Sequence, residues 1–333
     1  MVDSARVLFV HNALTEFVRL DLDELRKRFY VTERFENSCV VNPIGLWRQV
    51  KDHDLVFGWF ASWHTFLPVE FARRLGKPSV LVVGGYDVAN LPEIDYGHQR
   101  GGVKKTLSSR EMHLATRLLA TSDYSRQEVA RNVGLTNGRA HSLYLGVPDK
   151  FGQLPHSRRE RMALSVGNVN RSNLTRKGHE PFVRAAAALP DVSFVLIGSW
   201  HDDAIDFLRS IASPNVSFTG RIDDRDLLDY YRRASVYVQP SLHEGFGLSV
   251  AEAMLGGCIP VTTVAGSLPE VTGEYGVKIP SPEPGQIADA VRTALERYED
   301  ERAAIRNHIL DNFSVAKRSQ EMVQVIESLL NGG

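Results

Sequence analysis

The sequence predicts an α/β protein built from two doubly wound parallel sheets, and three observations predict it. Short apolar, β-branched runs alternate with helically spaced ones along the chain, as in strands joined by helical crossovers. The alternation occurs twice, and a polar stretch at 151–161, with Gly152 and Pro155, separates the two sets. In the second set a buried strand-like run, 236–240, passes through a glycine-containing turn into a helical pattern, 248–255. The expected organisation is a first domain over 1–150, a linker over 151–161 and a second domain over 162–313.

Each element has its own signal. Residues 7–10 form the first apolar run, ending in His11 and Asn12. A helical pattern covers 14–28, a strand 30–35, a helix 46–50 and a strand 54–58. A helix over 66–75 leads to the strand 78–83, which stops at Gly84-Gly85-Tyr86-Asp87. Helix 111–118, strand 119–122, helix 126–133 and strand 140–145 complete the first set. The second set has strands at 163–166, 193–197, 216–219, 236–240 and 259–262. Its helices lie at 179–188, 204–212, 224–234, 248–255 and 286–312, and 315–330 is a last amphipathic helix. In open sheets of this kind ligands sit beyond the carboxyl ends of the strands, so two such domains are expected to face a central cleft.

Composition excludes several function classes. Lys+Arg 39 against Asp+Glu 40 gives no global attraction to nucleic acid. Two cysteines, Cys39 and Cys258, form neither a disulfide framework nor a four-cysteine zinc site, and a cytoplasmic setting is expected. Met1 leads directly into strand-like sequence, so no signal peptide is expected. No apolar run is long enough for a bilayer. The basic stretch 100–117, with Lys104, Lys105 and Arg110, is a solvated helix face or a peripheral contact with the inner membrane surface.

The chemistry concentrates between Ser241 and Glu252. A helix start leaves backbone N–H groups without partners, and with the helix dipole these favour an anion such as phosphate. Gly245 and Gly247 let backbone approach a ligand. Glu244 and Glu252 flank the anion site, and carboxylates accept hydrogen bonds from hydroxyls. A ligand that is anionic in the middle and rich in hydroxyls at both ends fits, and a nucleotide sugar is one. Taken singly, each Glu is equally an ordinary helix-capping or solvated residue.

Glu244 and Glu252, with Gly-Phe-Gly after the first and Ala-Glu-Ala-Met around the second, closely resemble the donor-site signature of retaining family 4 glycosyltransferases, which have the GT-B fold of two Rossmann-like domains. The resemblance runs on to Val271 through Gly256-Gly-Cys-Ile-Pro-Val and Gly266-Ser-Leu-Pro-Glu270-Val, and weakens before Thr121. It implies that Glu252 holds the ribose, and that Glu244 with the backbone of Gly245, Phe246 and Gly247 holds the sugar. Lys177, in Arg176-Lys177-Gly178, resembles the family's Lys-Gly motif and would stabilise the departing diphosphate with Leu248 and Ser249. The family's Arg after the strand glycine is Asn168 here, and Arg171, in the same expected loop, is the candidate replacement. Gly198, Ile222 and Asp224 fall where the nucleotide would lie, Asp224 being also a candidate helix N-cap.

Gly84-Gly85-Tyr86-Asp87-Val88 resembles the family's His-Gly-Ser-Asp-Val segment with the His lost. Asp87 is therefore a third catalytic candidate or a turn cap, and Gly85, His11 and Asn12 are acceptor-side candidates. The resemblance also implies a last helix, 314–333, packing back on the first domain. It implies retention of configuration, a UDP- or GDP-linked donor, and a sugar, lipid-linked or small-molecule acceptor. No cofactor and no metal are expected; Asp224-Arg225-Asp226 mimics a metal motif but has no further oxygen ligands beside it. The rival readings are an epimerase or phosphorylase on the same fold and a non-catalytic nucleotide-sugar-binding protein. A nicotinamide enzyme is disfavoured because the first strand lacks the Gly-x-Gly-x-x-Gly turn.

Overall fold

A computed structural model describes residues 5–37, 42–136, 138–152, 159–296 and 300–332. Cys39 and most of the expected linker lie outside the described residues. The chain divides into two units, Met1–Gly146 with Val315–Gly333, and Val147–Ser314.

The first unit runs β1 (Arg6–His11), α1 (Glu16–Arg26), β2 (Tyr30–Phe35), α2 (Pro43–Lys51), β3 (Leu55–Trp59), α3 (Trp63–Arg74), β4 (Ser79–Val83), α4 (Gly102–Leu114), β5 (Arg117–Ala120), α5 (Asp123–Glu128) and β6 (Ala140–Ser142). Its strands pair in the order β2-β1-β3-β4-β5-β6, and every pairing is parallel. β3 and β4 are buried along their whole length, which is why they read as unbroken apolar runs. The strand order reverses between β1 and β3, so loops on either side of that pair flank a crevice.

The second unit runs β7 (Glu160–Val166), α6 (Arg171–Arg176), α7 (His179–Ala185), β8 (Ser193–Ile197), α8 (Ala204–Ile211), β9 (Val216–Gly220), α9 (Asp224–Arg233), β10 (Ala234–Gln239), α10 (Leu248–Leu255), β11 (Ile259–Thr263), α11 (Leu268–Thr272), β12 (Val277–Ile279), α12 (Pro284–Glu296) and α13 (Asp300–Asn312). Its strand order is β12-β11-β10-β7-β8-β9, again all parallel. Here the order reverses between β7 and β10, and the loops after those two strands carry the candidate chemistry.

The last helix, α14 (Val315–Asn331), returns to the first unit. Arg318, 5% exposed, makes a two-pronged ion pair with Asp21 of α1 at 2.6 and 2.7 Å. The same guanidinium donates to the carbonyls of Leu143 and Tyr144, each at 2.8 Å. Four of its five N–H donors are thus engaged inside the fold, in keeping with burial of a charge.

Several expected boundaries move, for identifiable reasons. The stretch 171–176 is a helix, α6, capped by the Asn170 side chain, and not a loop. α4 begins at Gly102 rather than 111, because its first turns are solvent-exposed and carry no apolar periodicity. The strand expected at 119–122 is β5, two residues earlier. The pattern over 286–312 corresponds to two helices, α12 and α13. The N-cap of α9 is Asp223, whose side chain accepts from Asp226 N at 2.8 Å, and not Asp224. α11 and β12, five and three residues long, are too short for a periodic signal.

Candidate functional site

The site is built by backbone contacts that admit only glycine. Gly178, between α6 and α7, has φ 73°, and a Cβ there would lie 2.4 Å from the Pro240 carbonyl oxygen. Gly266, after β11, has φ 63°, and a Cβ would lie 2.4 Å from the Glu244 carbonyl oxygen. The loops after β7 and β11 are thus pressed against the loop after β10. Gly247 caps α10 in the left-handed region, φ 92°, with no side-chain cap on the helix. The first N–H groups of α10 are therefore not satisfied by a capping side chain, which suits an anion. Of Gly245 and Gly247, only Gly247 has positive φ.

Glu244 is the electrostatic centre. Its side chain is 12% exposed, and its Oε1 accepts from Lys177 Nζ at 3.1 Å, Gln239 Nε2 at 2.6 Å and Ser241 Oγ at 3.0 Å. Burial alone would push the carboxyl up, but Lys177 and Arg176, with the hydrogen bonds from Lys177 and Ser241, hold it at about 2. Its backbone oxygen accepts from Ser267 N and Ser267 Oγ, both at 3.1 Å. The sequence reading missed Gln239. It sits at the end of β10, 2% exposed, and links Glu244 and Ser241 to Tyr237 and Ser249. A glutamine in an otherwise apolar buried strand is the signal that could have found it.

The structure sorts the basic residues differently from expectation. Arg171 is 71% exposed and pairs with Asp203, while its backbone N–H donates to Asp202. Its guanidinium is thus engaged with Asp203 rather than with Glu244. Arg176 is the second cation acting on Glu244, and its guanidinium also donates to Asn173 Oδ1 at 2.7 Å. His179, fully buried beside Lys177, is pushed down to about 3, first by burial and then by the Lys177 charge, and remains a neutral imidazole.

Other candidates divide between ligand-facing and structural positions. Leu248 and Ser249 open α10 and are partly exposed, as an anion site needs. Glu252, also partly exposed, lies on α10 and accepts a long hydrogen bond from the Tyr231 hydroxyl at 3.4 Å. Phe246 is 4% exposed and packs edge-on against Phe313, 5.5 Å between centroids, so its side chain belongs to the core rather than to a ligand. Gly198 is needed for packing, since a Cβ would lie 2.0 Å from the Gly167 carbonyl oxygen. Ile222 is half-buried, and Asp224 is exposed in the first turn of α9.

In the first unit Asp87 is corrected from catalytic candidate to structural cap. It is 2% exposed; Oδ1 accepts from Gly84 N at 3.0 Å and Oδ2 from Ala61 N at 3.1 Å. Burial pushes the carboxyl up to about 7, against the pull of those amides, and Glu128 adds to the rise. At Gly84, where the family's segment has His, a Cβ would lie 1.9 Å from Thr121 Oγ1. His11 is also structural: 1% exposed, it bonds Glu33 of β2 at 3.0 Å. Gly85, φ 84°, and Asn12 remain partly exposed at strand ends. Among the described residues no group of His, Cys, Asp and Glu side chains is arranged to hold a metal ion, and no helix is long and apolar enough to cross a membrane.

Comparison with known proteins follows the same division. Residues 160–297 match the model of the family described as Glycosyl transferases group 1. The O-antigen chain mannosyltransferase B of Escherichia coli is 30% identical over 182 residues, 48% of this chain and 46% of that protein. A GDP-mannose-dependent alpha-mannosyltransferase of Mycolicibacterium smegmatis is 32% identical over 200 residues, 57% of this chain and 50% of that protein. The matched stretch thus spans about half the length of these curated relatives. The structure of Anabaena Alr3699/HepE with UDP and glucose superposes with a TM-score of 0.77 at 16% identity, covering 97% of this chain and all of that one. Sucrose-phosphate synthase from Thermosynechococcus elongatus gives 0.74 at 17% identity, over 98% and 99% of the two chains. The fold is GT-B, and the resemblance to GT-B glycosyltransferases seen in the sequence is borne out.

Proposed function

We propose that this chain, whose second unit is a group 1 glycosyl transferase domain in a GT-B fold, moves a sugar from a nucleoside-diphosphate sugar to an acceptor hydroxyl, with retention of configuration and without a metal. The observation that carries the reading is the Glu244–Lys177 pair at the reversal of strand order, beside the start of α10. The helix start and Lys177 receive the diphosphate, whose charge grows as the sugar departs. Glu244, held ionised, accepts hydrogen bonds from sugar hydroxyls, and Glu252 takes the ribose. Gly85 and Asn12 line the acceptor side in the first unit. Glu244 is tied by three donors to one oxygen, an arrangement suited to binding rather than to nucleophilic attack, which favours front-face displacement with the leaving phosphate taking the acceptor proton.

Several relatives are named mannosyltransferases, so GDP-mannose is the first donor to try, with UDP-glucose, found with the Anabaena protein, as the second. A thermal-shift panel of UDP-, GDP- and ADP-sugars, followed by assay of nucleoside diphosphate release with a saccharide or lipid-linked acceptor, tests the reading. Stabilisation by a nucleotide sugar with no turnover on any acceptor would instead mark a binding protein.

A further inference from the structure

We propose that Gln239 is a positioning residue for this donor site: from inside the sheet it determines which oxygen of Glu244 is held and ties the start of α10, through Ser249, to that carboxylate. The inference rests on the donor-site reading above and deepens it. Gln239 ends β10 and is 2% exposed. Its Nε2 donates to Glu244 Oε1 at 2.6 Å and to Ser241 Oγ at 3.0 Å. Its Oε1 accepts from the Tyr237 hydroxyl at 2.9 Å and from Ser249 Oγ at 3.1 Å. A primary amide has two donor hydrogens and two acceptor lone pairs, so its capacity is fully used.

The amide cannot be turned over. An ionised carboxylate only accepts, so the NH2 end must face Glu244 and the carbonyl end must face Tyr237 and Ser249. Both hydroxyls lie within donating distance of that oxygen. Two consequences follow for the site. Lys177, Gln239 and Ser241 all end on Oε1, so the carboxylate plane is locked and Oε2 is the oxygen offered to a donor's hydroxyls. Ser249 Oγ is tied inward to Gln239 Oε1 and to the Tyr237 hydroxyl, and its backbone N–H opens α10. One buried side chain thereby couples the sugar-binding carboxylate to the phosphate-binding helix.

The charged and titratable groups facing this cluster are Lys177 and Arg176 at the end of α6, His179 of α7, Tyr237 of β10 and Glu252 of α10, with Glu244 itself. Gln239→Glu is the discriminating variant because it keeps the size. Protonated, the introduced carboxyl can still donate one O–H to Glu244; ionised, it sets two carboxylates against each other. GDP-mannose and UDP-glucose affinities are measured by calorimetry, using whichever donor the wild type binds. Gln239→Glu is expected to bind about 10–100-fold more weakly at pH 8 and to recover to within about threefold of wild type at pH 5.5, while Gln239→Met stays about 10–100-fold weaker at both. A Gln239→Glu loss that does not recover at low pH overturns the proposal, since a glutamine that only filled space would give no such recovery.

A second measurement needs no ligand. Carboxyl ¹³C titration of Glu244 in folded Gln239→Met is expected to show a midpoint raised by about one unit or more, and an unchanged midpoint overturns the proposal. If the wild type binds neither nucleotide sugar, the donor-site reading falls, and the titration alone decides the role of Gln239.

Discussion

Asp87 and Glu244 are comparable by chain order, although only β10 borders a reversal of strand order. Each follows the fourth strand of its sheet, β4 or β10, and each is almost withdrawn from water. Their ionisation moves in opposite directions. Burial raises Asp87 to about 7, because only backbone amides oppose it and Glu128 adds a like charge. Burial would raise Glu244 too, but Lys177 and Arg176 reverse the sign and hold it at about 2. The difference teaches that position at the carboxyl end of a parallel sheet does not fix the charge of a carboxylate. The cations brought beside it do, as Lys177 and Arg176 do for Glu244.

The sharpest test of that rule lies in the first unit itself, where Asp21 is buried with a cation, Arg318. Arg318→Ala leaves Asp21 charged and unpaired and frees α14, so denaturant unfolding should show a loss of about 3–5 kcal/mol. A loss well below 1 kcal/mol would break the comparison. Next in size, Lys177→Ala should lower turnover by about 10²–10³-fold with the fold intact, as expected for loss of a charge that stabilises the leaving group. Near-normal turnover would remove Lys177 and the Glu244 pair from the chemistry.

A smaller effect separates the two carboxylates by pH. Asp87, raised in the folded state, binds a proton there that the unfolded chain has lost, so its contribution to stability falls as pH rises from about 4 through about 7. Glu244 is depressed, so its contribution is complete above about 4.5 and is lost as pH falls toward about 2. Thermal melts of wild type against Asp87→Asn should therefore show wild type losing ground between pH 5 and pH 8, with turnover little changed. Melts against Glu244→Gln should show wild type losing ground only below about pH 4.5. Matching slopes in the two pairs would deny the contrast. The smallest effect belongs to Arg171→Ala. A solvent-screened ion pair with Asp203 adds little to stability, and donor affinity should shift less than about twofold. A large loss of affinity would restore Arg171 to the site.

Much of the fold was legible in the chain. β-branched runs that recur between helical patterns can bury both faces only as parallel strands, and the strand–turn–helix from 234 to 255 was visible with its helix bounds. α6 was misplaced because a six-residue polar helix has no periodicity to detect and depends on one capping asparagine. Asp87 and Glu244 are both candidates in the sequence because each is a carboxylate close to glycines in the loop after an apolar strand, which looks the same whatever lies opposite.

What the sequence determined by itself is local: where strands alternate with helices, where a strand turns through glycines into a helix, and that Glu244, Glu252 and Lys177 stand near helix starts. Only the tertiary structure decided which charges meet. It turned Arg171 to Asp203 and Arg176 toward Glu244, left no room at Gly84 beside Thr121, and filled every hydrogen-bonding position of Gln239. The physical reason is range. Strand and helix patterns depend on neighbours within a few residues, whereas the ionisation of a buried carboxylate depends on groups brought within a few ångströms from loops far apart in the chain.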